Sequence, residues 1–246
     1  RRALVAMRTS DLDQVKAHAT AAGTPVGKLL AAEVHLADGD RDAAKALLDE
    51  VAAAGGPAAD TAAAYLDLMN DGNPLVAGLS EAQALWALGQ RPIAVRSVED
   101  LVKAYAGSRD DGAEQLLLWA GRAVSVGEPE IAENLLDVIP VAPPGQVWRV
   151  QATRAMIHCA HGNGADCLAG FDRIVQISPA DGYADARATA AVLIADRDAD
   201  TARRLIEGQP TDAAARAWAI LGDPGTAGTV AVEPVFKAQF TATAGG

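Results

Sequence analysis

One interval recurs along this chain, and it constrains the fold more than any other feature of the sequence. Ala120, Ala155 and Ala190 follow one another at steps of 35 residues. The same step joins further pairs: Gly127 with Gly162, Leu136 with Phe171, Ile139 with Ile174, and Pro144 with Pro179. Self-similarity at a fixed interval of this length is typical of arrays in which each repeat is a pair of helices stacked on its neighbours. We therefore expect an all-α fold of antiparallel helix pairs.

The regularity of the pattern differs between parts of the chain. A single helical repeat domain is predicted over residues 1–221, with clean repeats at about 25–58, 113–146, 148–181 and 183–209. Residues 59–112 match poorly and hold one degenerate repeat or an insertion. There Ser80 and Gln83 indicate a capping box that starts a helix running to Leu88, and a short helix is predicted at 98–105. Residues 222–246 are predicted to be a turn-rich linker followed by an irregular, extended tail.

The residue types in these slots resemble the tetratricopeptide repeat family. Helices that cross closely need small side chains, a bulky apolar residue fills the groove between repeats, glycine allows the turn, and proline ends the second helix. These slots hold Ala120, Gly127, Ala132, Leu136 and Pro144 in one repeat, Ala155, Gly162, Cys167, Phe171 and Pro179 in the next, and Ala32, Gly39, Ala44 and Leu48 in the first. The repeat at 183–209 departs from the pattern at Arg197. The resemblance implies a right-handed α–α superhelix.

The resemblance also assigns a binding role to particular residues. In this family the first helix of each pair lines a concave groove, and the matching positions here are Glu33, Leu36, Glu114, Leu117, Val124, Arg149, Met156, Arg187 and Ile194. Most of these side chains are apolar, and Arg149 and Arg187 add positive charge at one end. The resemblance therefore implies binding of an apolar or amphipathic segment, with the two arginines meeting an acidic group.

Together these features predict a non-enzymatic scaffold or adaptor with a protein or peptide partner. The short motifs of serine nucleophiles, zinc hydrolases and phosphate loops do not occur, and no cofactor is expected. Three other interpretations stay open. The first is a regulatory or sensor module excised from a larger kinase or transcription regulator. The second is a self-assembling structural subunit, a homo-oligomer whose tail at 229–246 pairs between copies. The third is a hydrolase or other enzyme on a helical scaffold.

Charge and composition argue against two classes of partner. The formal net charge is −11 and the isoelectric point is about 4.7, which opposes binding to nucleic acid or to anionic lipid. No run of about twenty apolar residues occurs, so no membrane contact is expected from this segment. The chain starts at Arg1 rather than Met, which indicates a soluble piece, cytoplasmic or periplasmic, trimmed from an anchored or exported protein. Its richness in Ala, Asp and Gly is typical of bacterial proteins.

Two clusters of metal-ligating residue types are interpreted as structural. His158, Cys159, His161 and Cys167 are enough ligands for zinc, but their spacing matches none of the usual pairs, so no metal is expected. Cys159 and Cys167 are predicted to be free buried thiols, with a disulfide across the turn as the alternative in an exported protein. The acidic runs at 38–49 and 196–207 mimic a calcium loop without its glycine, and we expect their aspartates to cap helices.

Overall fold

The computed structural model describes residues 12–139, 141–143, 145–174 and 181–207. Within these ranges the chain has twelve helices and no strand, which confirms the expected all-α fold. The helices are α1 (Leu12–Ala22), α2 (Pro25–Ala37), α3 (Arg41–Ala54), α4 (Pro57–Met69), α5 (Pro74–Ala87), α6 (Arg91–Tyr105), α7 (Arg109–Ser125), α8 (Pro129–Asp137), α9 (Val147–Ala160), α10 (Gly164–Ile174), α11 (Asp181–Ile194) and α12 (Ala199–Ile206). The chain folds into two compact units, Arg1–Ser108 and Arg109–Gly246.

The first unit contains two helix pairs and one inserted helix. Helix α2 packs along α3, α5 packs along α6, and the first helices of the two pairs, α2 and α5, pack against each other. Helix α4 contacts both α3 and α5, while α1 packs on α2. One apolar cluster joins four of these helices through Leu36, Leu48, Val51, Tyr65 and Ala84. Burial of this shared apolar surface holds the unit together.

The second unit is a regular stack of three helix pairs, α7/α8, α9/α10 and α11/α12. The first helix of the middle pair, α9, packs against both α7 and α11, so the first helices of successive pairs are neighbours. The short turns that join the helices of each pair make them run in opposite directions. This arrangement establishes repeated helix pairs as the architecture of the described chain.

Small side chains lie wherever the two helices of a pair cross. The alanines of the 35-residue pattern, Ala120, Ala155 and Ala190, are all buried, as expected. The second helices contribute further fully buried small residues at equivalent positions: Ala44, Ala94, Ala132, Cys167 and Ala202. The separation is tight, since a Cβ added at Gly170 in α10 would lie 2.8 Å from the Cβ of Ala155 in α9. Larger residues at these positions would push the helices apart.

The turn inside a helix pair requires glycine at one position. Four pairs place a glycine there with φ between 79° and 83°, in the left-handed region that side chains with a Cβ disfavour: Gly39, Gly89, Gly127 and Gly162. The fifth pair has Arg197 instead. The Arg197 guanidinium donates a hydrogen bond to the carbonyl oxygen of Ala160 at the end of α9, and the pair α11/α12 still forms.

Residues 59–112 contain most of the inserted helix α4 and the helix pair α5/α6. The pair α5/α6 follows the repeat pattern through Ala82, Gly89, Ala94 and Val98, and the three apolar ones are fully buried. It lies 50 residues after the pair α2/α3 rather than 35, because α4 is inserted between them. Ala82 is therefore the counterpart of Ala32 in this pair.

Two predicted helix starts within residues 59–112 were wrong. Helix α5 begins at Pro74 rather than at Ser80, because the Asn73 side chain accepts a hydrogen bond from the Leu75 amide and caps the helix there. The Ser80 hydroxyl instead donates to the carbonyl oxygen of Ala77 inside α5. Helix α6 begins at Arg91, seven residues before the predicted start. The predictions for Pro144, Pro179 and the tail at 222–246 lie outside the described residues.

Candidate binding surfaces

Most of the nine predicted groove residues lie inside the helix packing. The buried ones are Glu33, Leu36, Leu117, Val124, Met156 and Ile194. The first helix of a pair contacts both its own partner and the neighbouring pair, so several of its faces are covered at once. Only Glu114, Arg149 and Arg187 are half-buried and keep contact with solvent. These three are the accessible part of the predicted surface.

Glu33 is a buried carboxyl group covered by the inserted helix. The Tyr65 hydroxyl of α4 donates a hydrogen bond of 3.2 Å to its Oε1 atom. Burial raises the pKa of the Glu33 carboxyl to about 7, and the hydrogen bond from Tyr65 opposes that rise. Glu33 therefore joins α2 to α4 and presents no surface to a partner.

Arg187 is used within its own helix pair. Its Nε donates to the carbonyl oxygen of Leu205 at 2.7 Å, and its Nη2 donates to that of Arg204 at 3.1 Å. Both carbonyls belong to the last turn of α12, where backbone acceptors have no partner within the helix. Arg187 thus caps α12. Its guanidinium binds these two carbonyl oxygens, whereas the sequence predicted that it would bind an acidic group of a partner.

The N-terminal parts of α7 and α9 form a polar surface, which we call the α7/α9 polar site (Glu114, Gln146 and Arg149). The Gln146 Nε2 donates to the Glu114 Oε1 at 3.4 Å and so brings the two helix ends together. The Arg149 guanidinium lies over the ring of Trp148, 5.4 Å from its centre. The sequence predicted Glu114 and Arg149 as groove residues but missed Gln146, which lies just before α9.

Two atoms of this site lack a hydrogen-bond partner among the described residues. The Arg149 Nε is a buried donor and the Gln146 Oε1 is a buried acceptor, and neither meets a complementary group. Buried polar atoms are nearly always paired in native proteins, because leaving one unpaired costs about 1–3 kcal/mol. A hydrogen bond to a bound molecule or to water would remove this cost.

A second surface lies on the first unit, between α5 and α6. This α5/α6 groove has a volume of about 520 Å³, and its lining includes Leu85, Ile93, Arg96, Leu101, Ala104 and Tyr105. Ile93 is 52% exposed and Tyr105 is 53% exposed, although both are large and apolar. The sequence pattern did not indicate this groove, because the helix predicted at 98–105 leaves Ile93 outside any helix. Apolar residues spaced by three and four along 91–105 were the available signal.

The two cysteines are bonded to each other in the structure. The disulfide Cys159–Cys167 joins the end of α9 to the start of α10, and both residues are fully buried. The expectation of two free thiols is therefore wrong, and the alternative of a bridge across the turn is the one that the structure shows. The eight-residue separation brings the cysteines together because the tight turn at Gly162 lies between them.

The acidic turns act as helix caps, as expected. The Asp40 side chain accepts a hydrogen bond from the Ala43 amide at the start of α3, and the Asp198 side chain accepts from the Thr201 amide at the start of α12. Hydrogen bonds from Thr201 lower the pKa of Asp198, and the bond from Ala43 lowers that of Asp40. No group of three metal-ligating side chains occurs within the described ranges.

These features define the class of protein: an all-helical chain built of repeated helix pairs. No helix of the described residues has the length and apolar character to span a membrane. No family model, curated protein or solved structure matches the chain.

Proposed function

We propose that this chain is a non-enzymatic interaction scaffold in which tetratricopeptide-like helix pairs form a right-handed superhelix. It binds an apolar or amphipathic segment of a partner protein at the α7/α9 polar site. The repeated helix pairs support this proposal because such arrays present long surfaces built from many similar elements. Architecture alone does not name an activity, so the proposal depends on the α7/α9 polar site.

The observation that carries the proposal is the unpaired donor and acceptor in that site. A peptide backbone offers a carbonyl oxygen and an N–H group at every residue, so one bound segment could satisfy both the Arg149 Nε and the Gln146 Oε1. Val147 lies between these two residues and is 47% exposed, which provides an apolar contact beside the polar pair. A segment with an apolar side chain and a free backbone edge fits these neighbours.

The test uses a display library of random peptides selected against the whole chain. Affinities of the selected peptides are then compared for wild type, Arg149→Met and Arg154→Met. Arg149→Met keeps the apolar stem over Trp148 and removes the donors, while Arg154 is an exposed arginine of the same helix and serves as the matched control.

We expect the selected peptides to be apolar or amphipathic. Loss of a charge-assisted hydrogen bond costs about 1.5–3 kcal/mol, so Arg149→Met should weaken binding by about tenfold or more. Arg154→Met should leave the affinity unchanged. A selection without enrichment, or equal losses from the two substitutions, would contradict the proposal.

A further inference from the structure

Part of the α5/α6 groove lies on a face that α4 covers in the pair α2/α3. In the repeat pattern Leu101 of α6 corresponds to Val51 of α3. Val51 is fully buried in one apolar cluster with Ala62 and Tyr65, which belong to α4. Leu101 is only partly buried and lines the open groove.

A neighbouring position on the same face leads to the same conclusion. Leu47 of α3 packs against the cluster that contains α4, and its counterpart in α6 is Ser97, which lines the groove. The repeat thus builds a surface shaped for a helix, and α4 is the example within this chain. An extended strand would leave its backbone N–H and C=O groups unpaired against such an apolar surface.

The charged side chains of α6 indicate which kind of helix the groove would bind. The chain carries a net charge of −11, yet α6 has three basic residues, Arg91, Arg96 and Lys103, against Glu99 and Asp100. Asp100 also lines the groove, and Lys103 pairs with it at 3.5 Å and with Glu99 at 4.0 Å. Arg96 is exposed at the groove and has no ion pair or hydrogen bond to any described residue.

We propose that the α5/α6 groove binds an amphipathic α-helix of a partner protein. The apolar stripe of that helix packs on Ile93, Leu101 and Tyr105, and a carboxylate beside the stripe pairs with Arg96. This surface is separate from the α7/α9 polar site, so each can be tested without the other. A second copy of the chain is the alternative occupant, and the test distinguishes it from a partner helix.

The probe is a display library of amphipathic helical peptides of about five turns, with apolar residues every third or fourth position and Glu or Lys beside them. Selection uses the whole protein. The best peptide is then made in two further forms, one with a central proline that breaks the helix and one with every Glu replaced by Lys. Binding is measured by fluorescence anisotropy.

Two pairs of variants make the test specific. Ile93→Ser is compared with Val138→Ser, since the two side chains are 52% and 53% exposed and neither substitution should unfold the chain. Arg96→Glu is compared with Arg154→Glu, another exposed arginine. Circular dichroism and urea unfolding confirm that all four variants keep the wild-type fold.

We expect selected peptides rich in Glu, and a loss of about tenfold in affinity for Ile93→Ser, as for a central interface residue. The proline form should bind at least about tenfold more weakly, and Arg96→Glu should prefer the Lys form. Val138→Ser, Arg154→Glu and Arg149→Met should bind as wild type does. Absence of any enriched peptide, full binding by the proline form, or equal effects of Ile93→Ser and Val138→Ser would overturn the proposal. A dimer that Ile93→Ser dissociates would assign the groove to a second copy and overturn it as well.

Discussion

The Tyr65 hydroxyl lies 3.2 Å from the Glu33 carboxylate, and this hydrogen bond joins the inserted helix α4 to the first helix of the pair α2/α3. The contact links residues that are 32 positions apart in the sequence. Glu33 was predicted to line the groove, but it lies in the interior because Tyr65 and α4 cover it. The free energy of unfolding of the first unit therefore depends on the ionisation of the Glu33 carboxyl group, which burial disfavours.

Stability should fall as the pH rises because of Glu33. Burial raises the pKa of the folded-state carboxyl from 4.5 to about 7, so the folded chain holds this proton more tightly than the unfolded chain does. The stabilising contribution is complete below pH 4.5 and is lost as the pH rises through 7. At 1.36 kcal/mol per pKa unit, the loss amounts to about 3 kcal/mol. Urea unfolding at a series of pH values measures it.

Glu33→Gln provides the reference for this experiment because it keeps the size of the side chain and cannot titrate. All other carboxyl groups are common to both proteins, so the difference between the two stability curves isolates Glu33. Tyr65→Phe should move the decline to higher pH, since the hydrogen bond from Tyr65 lowers the pKa of Glu33. Parallel curves for wild type and Glu33→Gln would show that Glu33 is not buried as described.

Reduction of the Cys159–Cys167 disulfide should destabilise the second unit. The bridge closes a short loop between α9 and α10, for which the loss of chain entropy in the unfolded state corresponds to about 2–3 kcal/mol. The double variant Cys159→Val with Cys167→Ala should not respond to reductant. Valine and alanine occupy the equivalent positions, 124 and 132, in the pair α7/α8. Equal thermal unfolding of the wild type with and without reductant would argue against the bond.

Gly89→Ala should destabilise the first unit through the backbone alone. Gly89 has a φ of 79°, and nothing lies within 4 Å of an added Cβ, so no steric contact contributes. The left-handed conformation costs a residue with a Cβ about 1–2 kcal/mol. Gly72→Ala is the matched control, because Gly72 also has open space around it but no positive φ. Urea unfolding should show a loss for Gly89→Ala and none for Gly72→Ala.

Asp198→Ala should weaken the start of α12, whereas Asp198→Asn should weaken it less because the amide oxygen can still accept from the Thr201 amide. Hydrogen bonds from Thr201 lower the pKa of Asp198, so its stabilising effect is present above the ordinary pKa of 3.8 and is lost as the pH falls through the lowered value. Hydrogen exchange of the α12 amides reports both effects. Added calcium should leave the exchange rates unchanged. Slower exchange with calcium would show that the acidic run at 196–207 binds the cation after all.

Part of the architecture was readable without coordinates. The positions of Ala120, Ala155 and Ala190 located the crossings of three helix pairs. These features depend on short-range rules, namely how small a side chain must be where two rods cross and which residues begin or end a helix. The same rules did not find the pair α5/α6, because the inserted helix changed the spacing on which the pattern depended.

The sequence by itself determined that this chain forms repeated helix pairs with small residues at their crossings and glycine at their turns. Tertiary structure alone decided that Glu33 is covered by Tyr65, that Arg187 caps α12 and that a groove stays open beside Ile93. The physical reason is the range of the contacts. Helix pairing follows from residues a few turns apart, whereas burial and exposure of a side chain depend on which distant helix comes to rest against it.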